Sequence, residues 1–390
     1  MATPLNIFII AGEASGDSLG ANLMRALKQK HPDATFNGVG GSKMQAEGLK
    51  SLFPMEDLSV MGIAEVLPRV FKIMDRISQT AKAIRNTRPD AVITIDSPDF
   101  CFRVIKKLKQ RVKDIPCIHY VAPSVWAWRP GRAEQVSKFL DHLLTLLPFE
   151  PPYFEKHGLN ATFVGHPVVE RQENRGDGDR FRRAHGLKND QPVLCMLPGS
   201  RMSELTRLLE KFSETADIVL RNKHQAVIVI PTLPHLKVPI DKFFIGKGIN
   251  PILVYSERDK FDAFAASSIA IAASGTVSLE LAMTDTPHII AYKLSPTSAF
   301  LAKHLIKIPY VNLINILLKR QVVPELLLED CEPAKMSKEL LRLMGDKESR
   351  AAQLMDFREA LIKIGLSDPE TPSQKAAAAV LDVIARKPAP

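Results

Sequence analysis

No stretch of this 390-residue chain approaches the roughly 18 uninterrupted apolar residues that a membrane-spanning helix needs. Cysteine is scarce. Cys101, Cys117, Cys195 and Cys331 lie far apart, mostly in apolar runs and never with CxxC spacing. That excludes a disulfide framework and a zinc cluster, and it reads as reduced core thiols of a cytoplasmic protein. No basic tail is present: the 52 Lys and Arg against 43 Asp and Glu, a net charge of +9, are spread along the chain. A nucleic-acid arm is thereby excluded, whereas a negatively charged substrate or an anionic membrane surface suits the excess. The first eleven residues have no basic segment and an apolar run of only strand length, so no signal peptide is expected.

What is present is the rhythm of an α/β protein. The length exceeds one ordinary core, which favours two domains. Short apolar runs at 7–11, 91–95, 115–121 and 142–146 alternate with helical patterns such as 18–30. In the second half, strands are expected at 193–197, 226–230, 252–254, 269–272 and 288–291, with a long helix over 203–222. From 333 to 386 the pattern is helical throughout. Such alternation means βαβ units and parallel sheets, whose ligands gather at the carboxyl ends of strands. A polar, glycine-rich stretch from Gly165 to Asp179 marks the domain boundary.

Each strand exit therefore has to be read for chemistry. The first opens into Gly12-Glu-Ala-Ser-Gly-Asp17, where Glu13 would repel a pyrophosphate and suits a sugar or acceptor hydroxyl better. The 91–95 strand opens into Asp96-Ser-Pro-Asp-Phe100. Asp96 is either a general base or a helix cap, with Asp99 and His119 as rival bases. The 115–121 strand leads into Val121-Ala-Pro-Ser-Val-Trp-Ala-Trp-Arg129, which holds both tryptophans, Trp126 and Trp128, beside Arg129 and Arg132. Aromatic faces suit sugar rings or lipid, and arginines suit phosphate. Val66, Leu67, Val70, Phe71, Met74 and Ile77 share one helical face, among basic residues. That face is either packed on the sheet or touches a membrane or acyl chains. Six basic residues crowd 103–113, either a solvated helix face or a contact for acidic headgroups.

Two small-residue turns in the second half suit an anion. Leu197-Pro-Gly-Ser-Arg201 and Ser274-Gly-Thr276 each follow an apolar run and precede a helix, whose first N–H groups and dipole attract negative charge. Gly199, Ser200, Arg201, Ser274, Gly275 and Thr276 are thus candidates for a diphosphate, Glu280 for ribose hydroxyls, and Tyr255 for stacking on a base. Asp177-Gly178-Asp179 superficially matches a metal-binding DxD but lies in the hydrophilic linker.

These blocks, with Val60-Met-Gly-Ile-Ala-Glu65, His119-Tyr-Val-Ala-Pro-Ser-Val-Trp-Ala-Trp128, Leu147-Pro-Phe-Glu150, Gly165-His-Pro167 and Pro309-Tyr-Val-Asn312, run in order from residue 6 to about 330. In that order the chain resembles the lipid-A-disaccharide synthases. The resemblance implies an α/β fold of the GT-B glycosyltransferase architecture, two Rossmann-like domains facing a central cleft. An N-terminal acceptor and membrane-facing domain would span 1–168 and a UDP-sugar donor domain 169–365, with a C-terminal helix at about 366–388 packing back on the first. It further implies a metal-independent enzyme without cofactor. Such an enzyme joins UDP-2,3-diacylglucosamine to the 6-hydroxyl of 2,3-diacylglucosamine 1-phosphate, forming a β-1′,6 linkage and releasing UDP.

By the same resemblance Asp96 is the base and Glu13 its acidic neighbour. Gly199, Ser200, Arg201, Tyr255, Ser274–Thr276, Glu280 and Asn315 would serve the donor. Ser15, Met61, Val66, Leu67, Val70, Phe71, Trp126, Trp128 and Arg129 would meet acceptor or lipid. Ile314 departs from the proline or small residue that often precedes the Asn315 position in the family. The protein would be peripheral on the inner face of a Gram-negative inner membrane, contacting phospholipid but no nucleic acid, with a homodimer admitted. Competing readings are a peptidoglycan glycosyltransferase, a sugar 2-epimerase, or a non-catalytic membrane-associated nucleotide-binding protein.

Overall fold

The computed structural model describes residues 4–58, 66–170, 175–273, 275–294 and 308–386, with backbone alone for 66–70. Two compact units divide the chain, one of Met1–Glu170 with Ser367–Pro390, the other of Arg171–Leu366.

In the first unit the strands are β1 (Asn6–Ala11), β2 (Thr35–Val39), β3 (Lys50–Ser51), β4 (Ala91–Ile95), β5 (Cys117–Tyr120), β6 (His142–Thr145) and β7 (Ala161–Phe163). Helices α1 (Ala14–Lys30), α2 (Ser42–Ala46), α3 (Val66–Thr87), α4 (Pro98–Lys109), α5 (Arg132–Ser137) and α6 (Pro151–Glu155) run between them. The sheet is parallel, in the order β3-β2-β1-β4-β5-β6-β7. Both its faces are buried, which explains the unbroken apolar runs. Ile7, Ile9 and Ala11 enter one core cluster and Phe8 and Ile10 the other, as alternation along a strand requires.

The second unit has β8 (Val193–Leu197), β9 (Val227–Pro231), β10 (Ile252–Val254), β11 (Ile269–Ala272), β12 (His288–Tyr292) and β13 (Glu325–Leu327). Its helices are α7 (Gly178–Ala184), α8 (Met202–Asn222), α9 (Lys237–Phe244), α10 (Glu257–Ala266), α11 (Val277–Met283), α12 (Leu313–Leu318), α13 (Pro333–Gly345) and α14 (Lys347–Lys363). Again the sheet is parallel, ordered β10-β9-β8-β11-β12-β13. Helix α15 (Pro372–Ala385) then belongs to the first unit and packs on α1. A Thr371/Gln374 capping box starts it, and Ala376, Ala377 and Val380 enter that unit's core.

Four strands leave no apolar-run signal. In β2, Asn37 and Gly38 interrupt the pattern, and Gly38 is required: at φ 151° its Cβ would lie 1.8 Å from the Ile9 carbonyl oxygen of β1. The strands β3, β7 and β13 are two or three residues long and lie at sheet edges. Helix α1 starts at Ala14, four residues before the pattern suggests, so Ser15 and Asp17 lie within its first turn. Asp17 turns back to accept from the N–H groups of Gly41, Lys43 and Met44, capping α2. Asp177 likewise caps α7, accepting from Arg180 N–H at 2.9 Å, so the DxD look-alike is a helix start. All four cysteines are buried free thiols. No helix among the described residues is long and apolar enough to cross a membrane.

Candidate functional site

In each sheet the direction of winding reverses once, between β1 and β4 in the first and between β8 and β11 in the second. Crevices that take ligands form outside the carboxyl ends of strands at such reversals. In the first unit Ala11 pairs with Ile95. The chain leaves these neighbours through Glu13 and Asp96, so the structure brings the two expected carboxylates to one edge. Between them Gly12 packs on Ser97, whose Cβ and Oγ lie 2.9 and 2.6 Å from where a Gly12 Cβ would be. Asp96 and Ser97 both have left-handed backbones, at φ 50° and 43°. Consecutive non-glycine residues in that region store strain, and strain of this kind clusters at functional sites. Asp96 donates its N–H to the Tyr120 carbonyl at 3.0 Å, and its half-buried carboxylate makes no hydrogen bond or ion pair among the described residues. Ser97, rather than Asp96, occupies the cap position of α4. Glu13 is exposed at the start of α1, with Ser15 exposed in the first turn.

The rivals fare differently. His119 is fully buried within β5, bonded through Nδ1 to Thr94 Oγ1 at 2.8 Å, and burial pushes its pKa down to about 3. It stays neutral and out of reach of a substrate. The Asp99 side chain is 96% exposed, with Arg132 at 3.7 Å.

At the second reversal Ala272 pairs with Leu197, which places the two anion-friendly turns side by side. Gly199 has φ 113°, a conformation that favours glycine. Arg201 begins α8 with a side chain 76% exposed. The Ser200 amide does not face solvent as expected. It donates to Glu204 Oε2 at 3.0 Å, as Arg201 N–H does at 3.3 Å, because a carboxylate in the first helical turn satisfies otherwise orphaned donors. Gly275 and Thr276 are exposed before α11, while Ser274 lies outside the described residues. Glu280, one turn into α11, accepts from Lys260 Nζ at 2.9 and 3.0 Å and remains partly exposed. Tyr255 follows β10, two strands from β8, and is 38% exposed.

Asn315, expected at the donor, points its amide at the protein's own backbone and Glu325. It is fully buried, its amide donates to Val323 O and Glu325 Oε1, and its oxygen accepts from Val322 and Val323 N–H. Its hydrogen-bonding capacity is spent on holding α12 to the β13 segment.

The two tryptophans divide their roles. Trp126 is half-buried, edge-on to Phe149, and donates its indole N–H to Glu150 Oε1 at 3.1 Å. Glu150 also accepts from the N–H groups of Leu146 and Leu147, and burial raises its pKa to about 7. Trp128 is 41% exposed, with the Arg129 guanidinium 4.3 Å above its ring. On α3, Ile77 is buried, whereas Phe71 is 73% and Met74 47% exposed. Met61 and the side chains of Val66, Leu67 and Val70 lie outside the described residues.

Comparison with known proteins identifies the family. The family model described as lipid-A-disaccharide synthetase matches residues 7–379. The chain is 50% identical over 385 residues to the lipid-A-disaccharide synthase of Rhodospirillum centenum, covering 98% of this chain and 96% of the relative. The chain belongs to the lipid-A-disaccharide synthase family. The corresponding enzyme of Paramagnetospirillum magneticum is 48% identical, with 97% of each chain covered. In fold the chain is similar to a UDP-GlcNAc 2-epimerase from Neisseria meningitidis solved with UDP-GlcNAc, at TM-score 0.61 and 11% identity, over 98% of this chain and 99% of that one. Its two Rossmann-like sheets are those of the GT-B class.

As a lipid-A-disaccharide synthase the chain is a glycosyltransferase of lipid A biosynthesis, acting on lipid A precursors. Sequence reasoning missed the groups that hold this synthase's candidate residues in place: Glu150 behind Trp126, Glu204 behind Arg201, and Lys260 beside Glu280. Only the short Ser200–Glu204 separation carried a signal, that of a capping carboxylate.

Proposed function

We propose that this synthase carries out an inverting transfer in which Asp96 is the general base. The Asp96 carboxylate takes the proton from O6 of 2,3-diacylglucosamine 1-phosphate. That oxygen attacks the anomeric carbon of UDP-2,3-diacylglucosamine, forming the β-1′,6 bond as the bond to the UDP oxygen breaks. UDP departs with the electron pair. Glu13, on the neighbouring strand exit, holds acceptor hydroxyls. Arg201 neutralises the leaving diphosphate, with Gly275 and Thr276 contributing backbone donors and Glu280 accepting from the ribose. The exposed α3 residues Phe71 and Met74 and the Trp128 loop meet acyl chains or the inner-membrane surface. The observation that carries this reading is the Asp96 carboxylate, which makes no hydrogen bond or ion pair among the described residues, on a strained turn at the β1/β4 reversal.

The test separates base from donor site. Asp96→Asn should lower kcat by about 10²- to 10⁴-fold with UDP affinity unchanged. Asparagine tolerates the left-handed backbone, so the turn survives. Arg201→Ala should instead weaken UDP binding by about 1.5–3 kcal/mol. UDP affinity lost with Asp96→Asn would move that residue to the donor site.

A further inference from the structure

The basic run over 103–113 takes no part in that chemistry, and the structure divides it. Lys109 is spent on Asp141 at 2.7 Å and on two carbonyls, and Lys107 on Ser78 Oγ. Arg103 and Lys106 instead line a cavity of about 510 Å3 between α4 and the 129–139 segment, which contributes Arg129 and Arg132. Among the described residues none of Arg103, Lys106 and Arg129 has a carboxylate partner. The one carboxylate on the cavity wall, Asp99, is almost fully exposed and 3.7 Å from Arg132. Aromatic rings hold two of the cations in place: Lys106 lies 4.9 Å over Phe139 and Arg132 5.6 Å over Phe102. Those rings touch edge to face at 5.4 Å.

Four cations around one cavity repel one another unless an anion joins them. Guanidinium forks match phosphate oxygens in pairs, and a phosphomonoester has three oxygens for several donors. The cavity also stands next to the candidate base. Helix α4 begins at Pro98, two residues beyond Asp96, and Arg129 follows the exit of β5, the strand beside β4. We infer that the cavity is a phosphate subsite that takes the phosphomonoester of the acceptor lipid, one sugar ring away from the hydroxyl at Asp96. This inference rests on the acceptor reading of the Asp96 edge.

The experiment compares kcat/KM for 2,3-diacylglucosamine 1-phosphate and for the same lipid without its phosphate, in detergent micelles. Wild type should prefer the phosphorylated acceptor. In Arg103→Gln/Lys106→Gln that preference should shrink at least tenfold through KM, with UDP affinity, melting temperature and turnover of the unphosphorylated acceptor unchanged. Lys106→Gln alone, at an exposed position of α4, is the second variant should the double one be unstable. A wild type without preference, or a preference the variants keep, overturns the inference. Sedimentation with phosphatidylcholine vesicles, with and without phosphatidylglycerol, distinguishes the sources. Variants that lose anionic vesicles but keep the acceptor preference would assign the cations to bilayer headgroups, which also overturns it. If wild type turns over neither acceptor, the reading of the Asp96 edge has failed. Titration with glucose 1-phosphate then decides the subsite alone: binding lost in the variant supports it, and equal binding overturns it.

Discussion

Asp96 and Asn315 show how differently two polar residues of similar size are used. Asp96 sits on two consecutive left-handed residues, which together cost about 2–6 kcal/mol at the usual 1–3 per position, and its carboxylate makes no hydrogen bond or ion pair among the described residues. Asn315 sits in an ordinary helix and uses its amide on four groups. Asn315→Ala would strand the part-buried N–H of Val322 and the buried N–H of Val323, at about 1–3 kcal/mol for a buried unsatisfied group. The expected outcome is a lower melting temperature with UDP affinity of the folded protein unchanged. Lost affinity without lost stability would place Asn315 at the donor. The motifs at Glu13, Asp96 and Arg201 were legible because each follows an apolar strand directly, so position alone implied exposure. The commitment of Asn315 was not, because its partners Val323 and Glu325 reach it only through the fold of the 315–325 loop.

Helix α3 and the 121–132 loop make their own predictions. One helical face holds Phe71, Met74 and Ile77, yet the first two are exposed and the last is 2% exposed. Phe71→Ser/Met74→Ser should therefore reduce binding to lipid vesicles with little change in melting temperature. Ile77→Ser should cost about 3 kcal/mol or more, through the cavity and the buried hydroxyl. Equal stability loss in both would make the whole face core. Periodicity could not separate these, since it reports a face and not what covers it.

Behind the loop, Glu150 is raised to about 7 by burial, against an ordinary value of 4.5. A carboxyl whose folded pKa is raised stabilises the fold below about 4.5, and that contribution is lost as pH climbs through about 7. The full difference is about 3 kcal/mol. Urea unfolding followed by tryptophan fluorescence, which reports only the first unit because both indoles lie there, should show less stability at pH 8.5 than at pH 6. Glu150→Gln should flatten that dependence; an unaltered pH slope would contradict the assignment.

For the whole molecule, the repeated device is a parallel sheet that reverses its winding once, with carboxylates at one reversal and a cation with backbone donors at the other. The doubled α/β rhythm was legible because strands buried on both faces read as continuous apolar runs. Short edge strands and the Asn37-Gly38 interruption of β2 were not, since pairing and not side-chain burial defines them. The account's central claim is that this arrangement transfers a lipid-linked sugar with its own charges. The measurement that tests it most directly is UDP release from purified protein given UDP-2,3-diacylglucosamine, with and without 2,3-diacylglucosamine 1-phosphate, in detergent and excess EDTA. The account predicts acceptor-dependent UDP release with a β-linked disaccharide product, undiminished by the chelator. UDP binding without acceptor-dependent release, or release abolished by EDTA, would contradict it.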